Sequence, residues 1–557
     1  MKTHLLISAL TLWSFLGSTQ TWQWSKSEGN TGSDQAMSVV TDLNGNILMT
    51  GQYGSPTLTF GNNTLTNAMT NGAADAFVVK YNSLGNVLWT QNISGKLQDI
   101  GHCIITDALG NVYVSGKFES DTLTIGSTLL FNSQGTDIFL LKFDSNGNLL
   151  WAKNAGGAYH VTGGSLAVDP LGNVVMTGSF NSPDITFGST ILFNSNPSSH
   201  DVFMVKYDPN GNVTWAKSFG GKFDDFVSGN EMDTNGNPVI CGHFKYINLP
   251  IDGVSVTNSG MGTNDIFVAK FDPNGDVIWL RQVGGNQEEY SSNLTLDKND
   301  NVIISGSFQS ASITINGSTL TNIGGVGMDA IIVKYDANGG FQWARNGGGT
   351  FNDNVKDLVE DVDGNVYVLG DFTSEFISFD TTSLSNAGGN THSHDLFLTK
   401  YDMHGNLLWT ESYGGTGTEW AQSICSNLNG EIFISGFYTS PTLQFGPNIP
   451  TISNLGSRDI FLSKLGDEII GGIEIRKKNN SVIYPNPFTD QATIKFNERL
   501  NNATFYLYNT MGQKVLVIKN FVGDQYLLTK KDLLPGTYLL MVIQENELIA
   551  KQKLSIL

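Results

Sequence analysis

Asp201-Val-Phe-Met-Val-Lys-Tyr-Asp-Pro-Asn-Gly-Asn-Val-Thr-Trp215 is the stretch that decides the fold. Its first seven residues are a run of β-formers. Asp208 can accept a backbone hydrogen bond two residues on, Pro209 presets φ, and Gly211 supplies the φ > 0 position, so the chain reverses into a second strand carrying Trp215. The same pattern (Asp, apolar, Phe or Ile, two residues, Lys) starts at Asp75, Asp137, Asp201, Asp265, Asp329, Asp395 and Asp459, 62 to 66 residues apart. Six copies run on to a tryptophan: Trp89, Trp151, Trp215, Trp279, Trp343 and Trp409. A fixed period of this kind means one supersecondary unit stacked on copies of itself.

Outward from that hairpin, the unit at 151–206 holds three more strands. One opens at Trp151 and ends at Gly156-Gly157, and the next, 165–169, turns through Pro170-Leu-Gly-Asn173 into 174–180. A short polar hairpin around 185–188 and 191–193 follows, and no segment has a helical period. Four strands per unit in seven units predict an all-β chain: a seven-bladed β-propeller of four-stranded blades. The ends fit a ring. Trp24 has no Asp-to-Lys strand before it, and the strand from Asp459 to Lys464 has no tryptophan after it. Pairing of the N-terminal strand with the last one would close the ring and remove its exposed edges.

The inner hairpin turns open on Asp42, Asp107, Asp169, Asp233, Asp297 and Asp361, with Asn427 in the seventh unit. Asp361-Val-Asp-Gly-Asn365 has the look of a calcium-loop fragment, but a full loop needs more oxygen ligands, and the turn reading is preferred. Residues present in every copy are explained by the blade. The repeated Lys should cover apolar surface with its stem, and the tryptophans should fill the space between blades. These residues resemble the bacterial β-propeller repeat family of secreted and surface proteins, over 22–465. The resemblance implies the propeller and little about activity, since propellers host unrelated functions.

The chain has 557 residues, 15% of them charged, 63 glycines and a net charge of −20. The acidity belongs to the repeats, with 42 acidic against 20 basic residues before Leu465. Such a surface repels phosphate backbones and argues against nucleic acid as a partner. Residues 1–21 read as a secretory signal: Lys2, an apolar run at 5–16, then Gly17-Ser-Thr19 for cleavage. That run is too short to span a bilayer, and no transmembrane segment is expected. Cys103, Cys241 and Cys425 show no pairing logic and read as small buried apolar residues.

After 22–465 comes a polar linker at 466–480, then a domain at 481–557 with the pattern of a small β-sandwich. Tyr484-Pro-Asn-Pro487, Met511-Gly-Gln513, Pro535-Gly-Thr-Tyr538 and the Lys-rich last strand resemble the C-terminal sorting domain of the type IX secretion system. That resemblance implies engagement of the secretion machinery, export across an outer membrane, and a secreted or outer-surface location.

Candidate functional residues should lie in departures from the repeat. Eight residues before the inner-hairpin Asp or Asn stands an acid, Asp34, Asp99, Asp225, Glu289, Asp353 or Glu419, with Val161 the one exception. Gathered near one end of the ring, these six would make a shallow Ca²⁺ or cationic-ligand site, the single candidate cofactor. The competing reading has each acid bonding amides of its preceding Gly-rich loop, such as Gly220-Gly221 or Gly284-Gly285. The loops after those glycines vary and carry Tyr159, His160, Phe223, Tyr290 and Trp420, aromatics beside polar groups that suit carbohydrate or that plug the blade ends. His392 and His394 form a weak metal signal in a loop. Gly-x-Ser-x-Gly, His-Glu-x-x-His, Cys-x-x-Cys and phosphate-loop patterns are absent. The expectation is a binding or adhesion module for extracellular glycan or protein. A polysaccharide-active hydrolase or lyase with its site at the channel mouth, and a surface-layer component, are the alternatives.

Overall fold

A computed structural model describes residues 20–69, 72–245, 247–260, 262–389, 393–467, 481–509, 514–530, 533–544 and 547–556. The signal segment before residue 20, the linker from 468 to 480, His392 and Met511-Gly-Gln513 therefore lie outside the described residues. The described residues contain strands and turns and no helix. The chain divides into two compact units, Trp24–Lys464 and a second that includes Leu465–Leu557.

Seven antiparallel four-stranded arrays make up the first unit. In the third, Val161–Val168, Val174–Phe180, Asp201–Tyr207 and Val213–Phe219 pair in that order, and the other arrays repeat the connectivity. The seventh takes Glu419–Ser426, Ile432–Tyr438 and Asp459–Asp467 from the end of the unit and its fourth strand, Gln20–Glu28, from the beginning. The first strands of the arrays touch one another in sequence, and the first strand of the seventh touches that of the first. The sheets therefore form a closed β-propeller whose first strands line the centre.

The core is a set of slabs between neighbouring blades. One slab joins Val239, Cys241 and Val268 of the fourth blade to Ile304, Phe308 and Val333 of the fifth. Another seals the ring, packing Ala36, Met49 and Phe77 of the first blade on Phe433, Ile460 and Leu462 of the seventh. The cysteines sit in such slabs as free thiols.

Two local readings need correction. The inner strand of the third blade starts at Val161, not at 165, because a bulge after Gly163 lets pairing continue to the end of the blade. The extra hairpin, Asp184–Phe187 with Thr190–Phe193, is not simply polar: Ile185 and Phe187 are buried in the slab, and Phe193 on the other face is exposed. The period-2 alternation of the strands requires that two-sidedness.

The second unit is built on Gln491–Asn509, a long strand whose register shifts near Lys495, Leu500 and Ala503. Its first half pairs with Ser481–Tyr484 and its second half with Gly536–Gln544. The shifts bend the strand, and its two halves enclose Ile494, Phe496, Phe505, Leu540 and Leu554.

Candidate functional site

The repeated residues organise one end of the propeller. Asp361 shows the rule for the turns. Its Oδ1 accepts from the amides of Asp363 and Asn365 (both 2.9 Å), and its Oδ2 accepts Asn365 Nδ2 (2.9 Å) and faces Lys400 Nζ at 3.3 Å. The carboxylate is fully occupied by its own turn and the repeat lysine. The lysines thus do more than cover surface. Lys80 meets Asp42 at 2.9 Å and donates to the carbonyl of Ser145 in the next blade, where Trp89 Nε1 donates as well (3.1 Å). Trp and Lys of one blade clamp one carbonyl of the next, as Trp279 and Lys270 do with Ala337.

The variable residues converge on the opposite end. There the inner strand starts, the second strand ends and the third strand starts: Asp225, Phe244 and Asp265 are in register. All six acids of the candidate cation site are the first residue of an inner strand, and all are fully buried. The structure does not gather them. Each carboxyl is enclosed at its own blade junction: Glu289 accepts Gly285 N (2.8 Å) and Ser310 N (3.2 Å), Asp225 accepts Gly221 N (2.6 Å), and Asp34 accepts Ser55 Oγ (2.6 Å). Among the described residues no group of three or more His, Cys, Asp or Glu is placed to hold a metal ion. The cause is local, since each Gly-rich loop folds its amides onto its own acid and keeps it at its own blade junction, apart from the other five.

The loop aromatics do share this end. Tyr159 and Phe223 are 53% and 44% exposed. His160 Nδ1 lies 2.9 Å from Thr136 Oγ1. Tyr290 and Trp420 are half-buried, each in a cluster that the sequence left hidden. His200, Phe226, His243 and Tyr290 follow one another at ring separations of 4.8, 5.4 and 5.0 Å. His200 Nδ1 bonds Asp224 (2.9 Å), and Tyr290 OH donates to Glu288 (3.3 Å). Burial holds His243 down to about 4, so it is neutral and stacks as an aromatic ring. In the second cluster Trp420 packs on Phe437 (4.9 Å), with the guanidinium of Arg458 4.9 Å above the indole and His394 at 5.8 Å. His394 Nδ1 bonds Asp371 (2.9 Å), so this histidine is committed to a carboxylate of the blade.

Phe226, His243, Phe437 and Arg458 were missed because they are far apart in sequence. One signal existed: the residue after the acid pairs across the strand with the residue before the last of the second strand, as Phe226 does with His243 and Trp420 with Phe437. A cavity of about 230 Å³ reaches this end at Asp201 and Gly220 and is lined elsewhere by Phe193, Lys217, Phe219 and Asp252. Lys217 is held there by Asp276 (2.6 Å) and Asp252 (3.3 Å), leaving the cavity little free polar function.

Comparison with known proteins addresses the tail and the fold. Residues 482–556 match the family described as secretion system C-terminal sorting domain. An uncharacterized WD repeat-containing protein of Acanthamoeba polyphaga mimivirus is 29% identical over 356 residues, 53% of this chain and 26% of that protein. The regulatory protein FlaEY of Caulobacter vibrioides is 27% identical over 246 residues, 42% of this chain and 25% of its own. The chain thus spans about a quarter of the length of these relatives. Among solved structures, the Pan2 WD40 domain of Neurospora crassa aligns with a TM-score of 0.41 at 10% identity, over 82% of this chain and 98% of that one. PorZ, a surface component of the type IX secretion system of Porphyromonas gingivalis, aligns with a TM-score of 0.22 at 11% identity, over 94% and 81%. The sorting domain marks the chain for type IX export to the cell surface or the extracellular space.

Proposed function

We propose that the propeller is an extracellular binding module that grips a glycan or protein at the end of the ring carrying the variable loops. The observation that supports this is the company of the aromatics there. Tyr159 and Phe223 stand exposed, and half-buried Tyr290 and Trp420 lie beside Glu288, Asp224, Arg458 and His394. Exposed ring faces pack on the apolar faces of sugars or on apolar side chains, while the flanking polar groups fix orientation. The net charge of −20 favours neutral or cationic ligands over polyanions. Export by the type IX route puts this face where such ligands are found.

The test is a panel of neutral polysaccharides offered to the purified full-length protein, recording both retention and released oligosaccharide. Retention without product, lost on Tyr159→Ala with Phe223→Ala, supports the reading. Absence of retention removes glycan as the ligand class and leaves protein. A second reading, a polysaccharide-active hydrolase or lyase, draws on one observation. Glu231 of an inner strand is exposed, and the Asp357 carboxylate works to raise its carboxyl above the ordinary range, while burial raises Asp357 itself to about 6. A carboxyl still protonated near neutrality is what a general acid requires. Released product that disappears on Glu231→Gln is the outcome this reading expects.

A further inference from the structure

Blade junctions are joined by one repeated backbone contact. The first amide of an inner strand donates to the carbonyl just before the repeated Asp of the preceding blade, as Asp353 N does to Met328 O (2.7 Å) and Asp225 N to His200 O (2.8 Å). This contact sets two side chains next to each other. At six junctions both are acids: Asp75–Asp99, Asp201–Asp225, Asp265–Glu289, Asp329–Asp353, Asp395–Glu419 and Asp459–Asp34. At the remaining one Asp137 meets Val161, whose amide makes the same bond to Thr136 O (3.3 Å). A glycine at the end of the outer strand leaves room for the pair. At the Asp201–Asp225 junction a Cβ on Gly220 would lie 2.4 Å from Asp201 Oδ1 and 3.0 Å from Asp225 Oδ2, so both carboxyls border the same space.

Unsatisfied oxygens follow the second acid. All six pairs are buried, and each holds at least one carboxyl oxygen without a well-formed hydrogen bond, among them Asp99 Oδ1, Asp265 Oδ1 and Asp329 Oδ1. Asp395 and Glu419 contribute one each. Where valine replaces the acid, none is left over: Asp137 Oδ1 accepts Ser133 Oγ (2.7 Å) and Oδ2 accepts Ser133 N (2.9 Å). A buried acceptor without a donor is costly, and two buried like charges in contact are costlier still. Both costs favour an electropositive partner, a cation or a proton.

The surroundings decide which one. A calcium ion takes six to eight oxygen ligands. Here the neighbours present hydrogens instead: Ser374 Oγ and N are turned onto Asp353 (2.9 and 3.4 Å), and Ile323 N onto Asp329 Oδ2 (2.5 Å). A proton needs no further ligand, supplies the absent donor and removes one of the two charges.

We propose that each of the six inter-blade acid pairs retains one proton at neutral pH. The ring then holds six singly protonated acid pairs in place of twelve buried charges. Burial is the first cause raising Asp329 to about 8 and Asp353 to about 7, with the Asp353 carboxylate adding to the rise of Asp329. Other junctions carry further groups. Asp224 and His200 face Asp225 and Asp201, Glu288 faces Asp265, and His394 faces Asp395 and Glu419. Tyr53 faces Asp34 and Asp75, and Tyr438 faces Asp459 and Glu419. Asp329–Asp353 is the pair with the simplest surroundings.

Infrared spectroscopy of the full-length protein tests this, reading the carbonyl band of protonated carboxylic acid and its shift in heavy water. The band is expected at pH 7 and is expected to vanish by about pH 10, above the raised carboxyls. Asp353→Asn should lower it by about one sixth, as one pair of six is lost, and Val161→Asp should raise it by a similar amount. Should a variant not fold, absence of the band from the wild-type spectrum still decides against the proposal. No band at pH 7, or a band unchanged in folded Asp353→Asn, overturns the proposal. A band erased by added Ca²⁺, with a matching rise in melting temperature reversed by chelator, overturns it in favour of cation sites.

Discussion

Lys464 Nζ lies 2.8 Å from Glu431 Oε1, and both side chains are buried. In five other blades the repeat lysine pairs with the Asp that opens its inner hairpin, as Lys270 does with Asp233 at 2.8 Å. The seventh blade has Asn427 there, and the chain restores the carboxylate four residues later, with Asn427 Nδ2 bonding Glu431 Oε2 (2.6 Å). Glu431→Gln would leave a buried ammonium unpaired in the blade that closes the ring. A loss of about 3 kcal/mol is expected in denaturant melts. Adding Asn427→Asp should recover most of it, since that restores the arrangement of the other blades.

Trp279 and Lys270 both donate to Ala337 O. Trp279→Phe should cost only about 1 kcal/mol, because Lys270 still satisfies the carbonyl. Trp279→Ala empties a position that is 6% exposed in the slab between the fourth and fifth blades and should cost about 3–5 kcal/mol. Equal losses in the two variants would show that the hydrogen bond, not the packing, holds the clamp.

Stability should fall as pH rises through neutrality. Asp99 and Asp329 are raised to about 8, and Asp225, Glu289, Asp353 and Asp395 to about 7, each chiefly by burial. The native state therefore binds more protons than the unfolded chain between the ordinary carboxylate range and about pH 8. Their contribution is fully present at the acid end and is lost as pH climbs through 7 to 8. The turn acids Asp42, Asp233 and Asp297 are lowered and act oppositely, losing their contribution as pH falls below the ordinary carboxylate range. Melting temperature should peak in mildly acidic buffer and decline toward pH 9. A profile rising up to pH 8 contradicts this balance.

The blade was legible in the sequence because its determinants are local. The Asp, Gly and Asn of each turn bond one another within four residues, as Asp42 does with Asn44 and Asn46. Ring closure was legible from two half-hairpins, Trp24 and Asp459 to Lys464, that lacked their other halves. The acid pairs were not. Asp329 and Asp353 meet because two strands of different blades dock through Met328 O, and periodicity marked one member of each pair without naming the other. The aromatic clusters escaped for the same reason: Trp420 and Phe437 come from two strands and Arg458 from just before a third, and they meet only in the folded blade.

Tyr159 and Phe223 are exposed, so their removal should leave the fold intact while weakening a ligand that stacks on them. Tyr159→Ala and Phe223→Ala should each shift stability by less than about 0.5 kcal/mol and each weaken retention by roughly tenfold, about 1.4 kcal/mol. Affinity chromatography beside a thermal melt separates the two effects. A variant that melts earlier and still binds would place these rings among the structural plugs.

The tail is a compact body in its own right, and it carries the export signal. Ile494, Phe505, Leu540 and Leu554 form its own core, within 482–556. Removing 481–557 should therefore leave propeller folding unchanged, because the ring closes through the pairing of Gln20–Glu28 with Asp459–Asp467 upstream of the cut. The address should be lost. Cell fractionation and surface protease treatment are expected to find the truncated protein, folded and protease-shielded, in the periplasm, and the full chain outside. Truncated protein at the surface would mean that the propeller itself carries a second export signal.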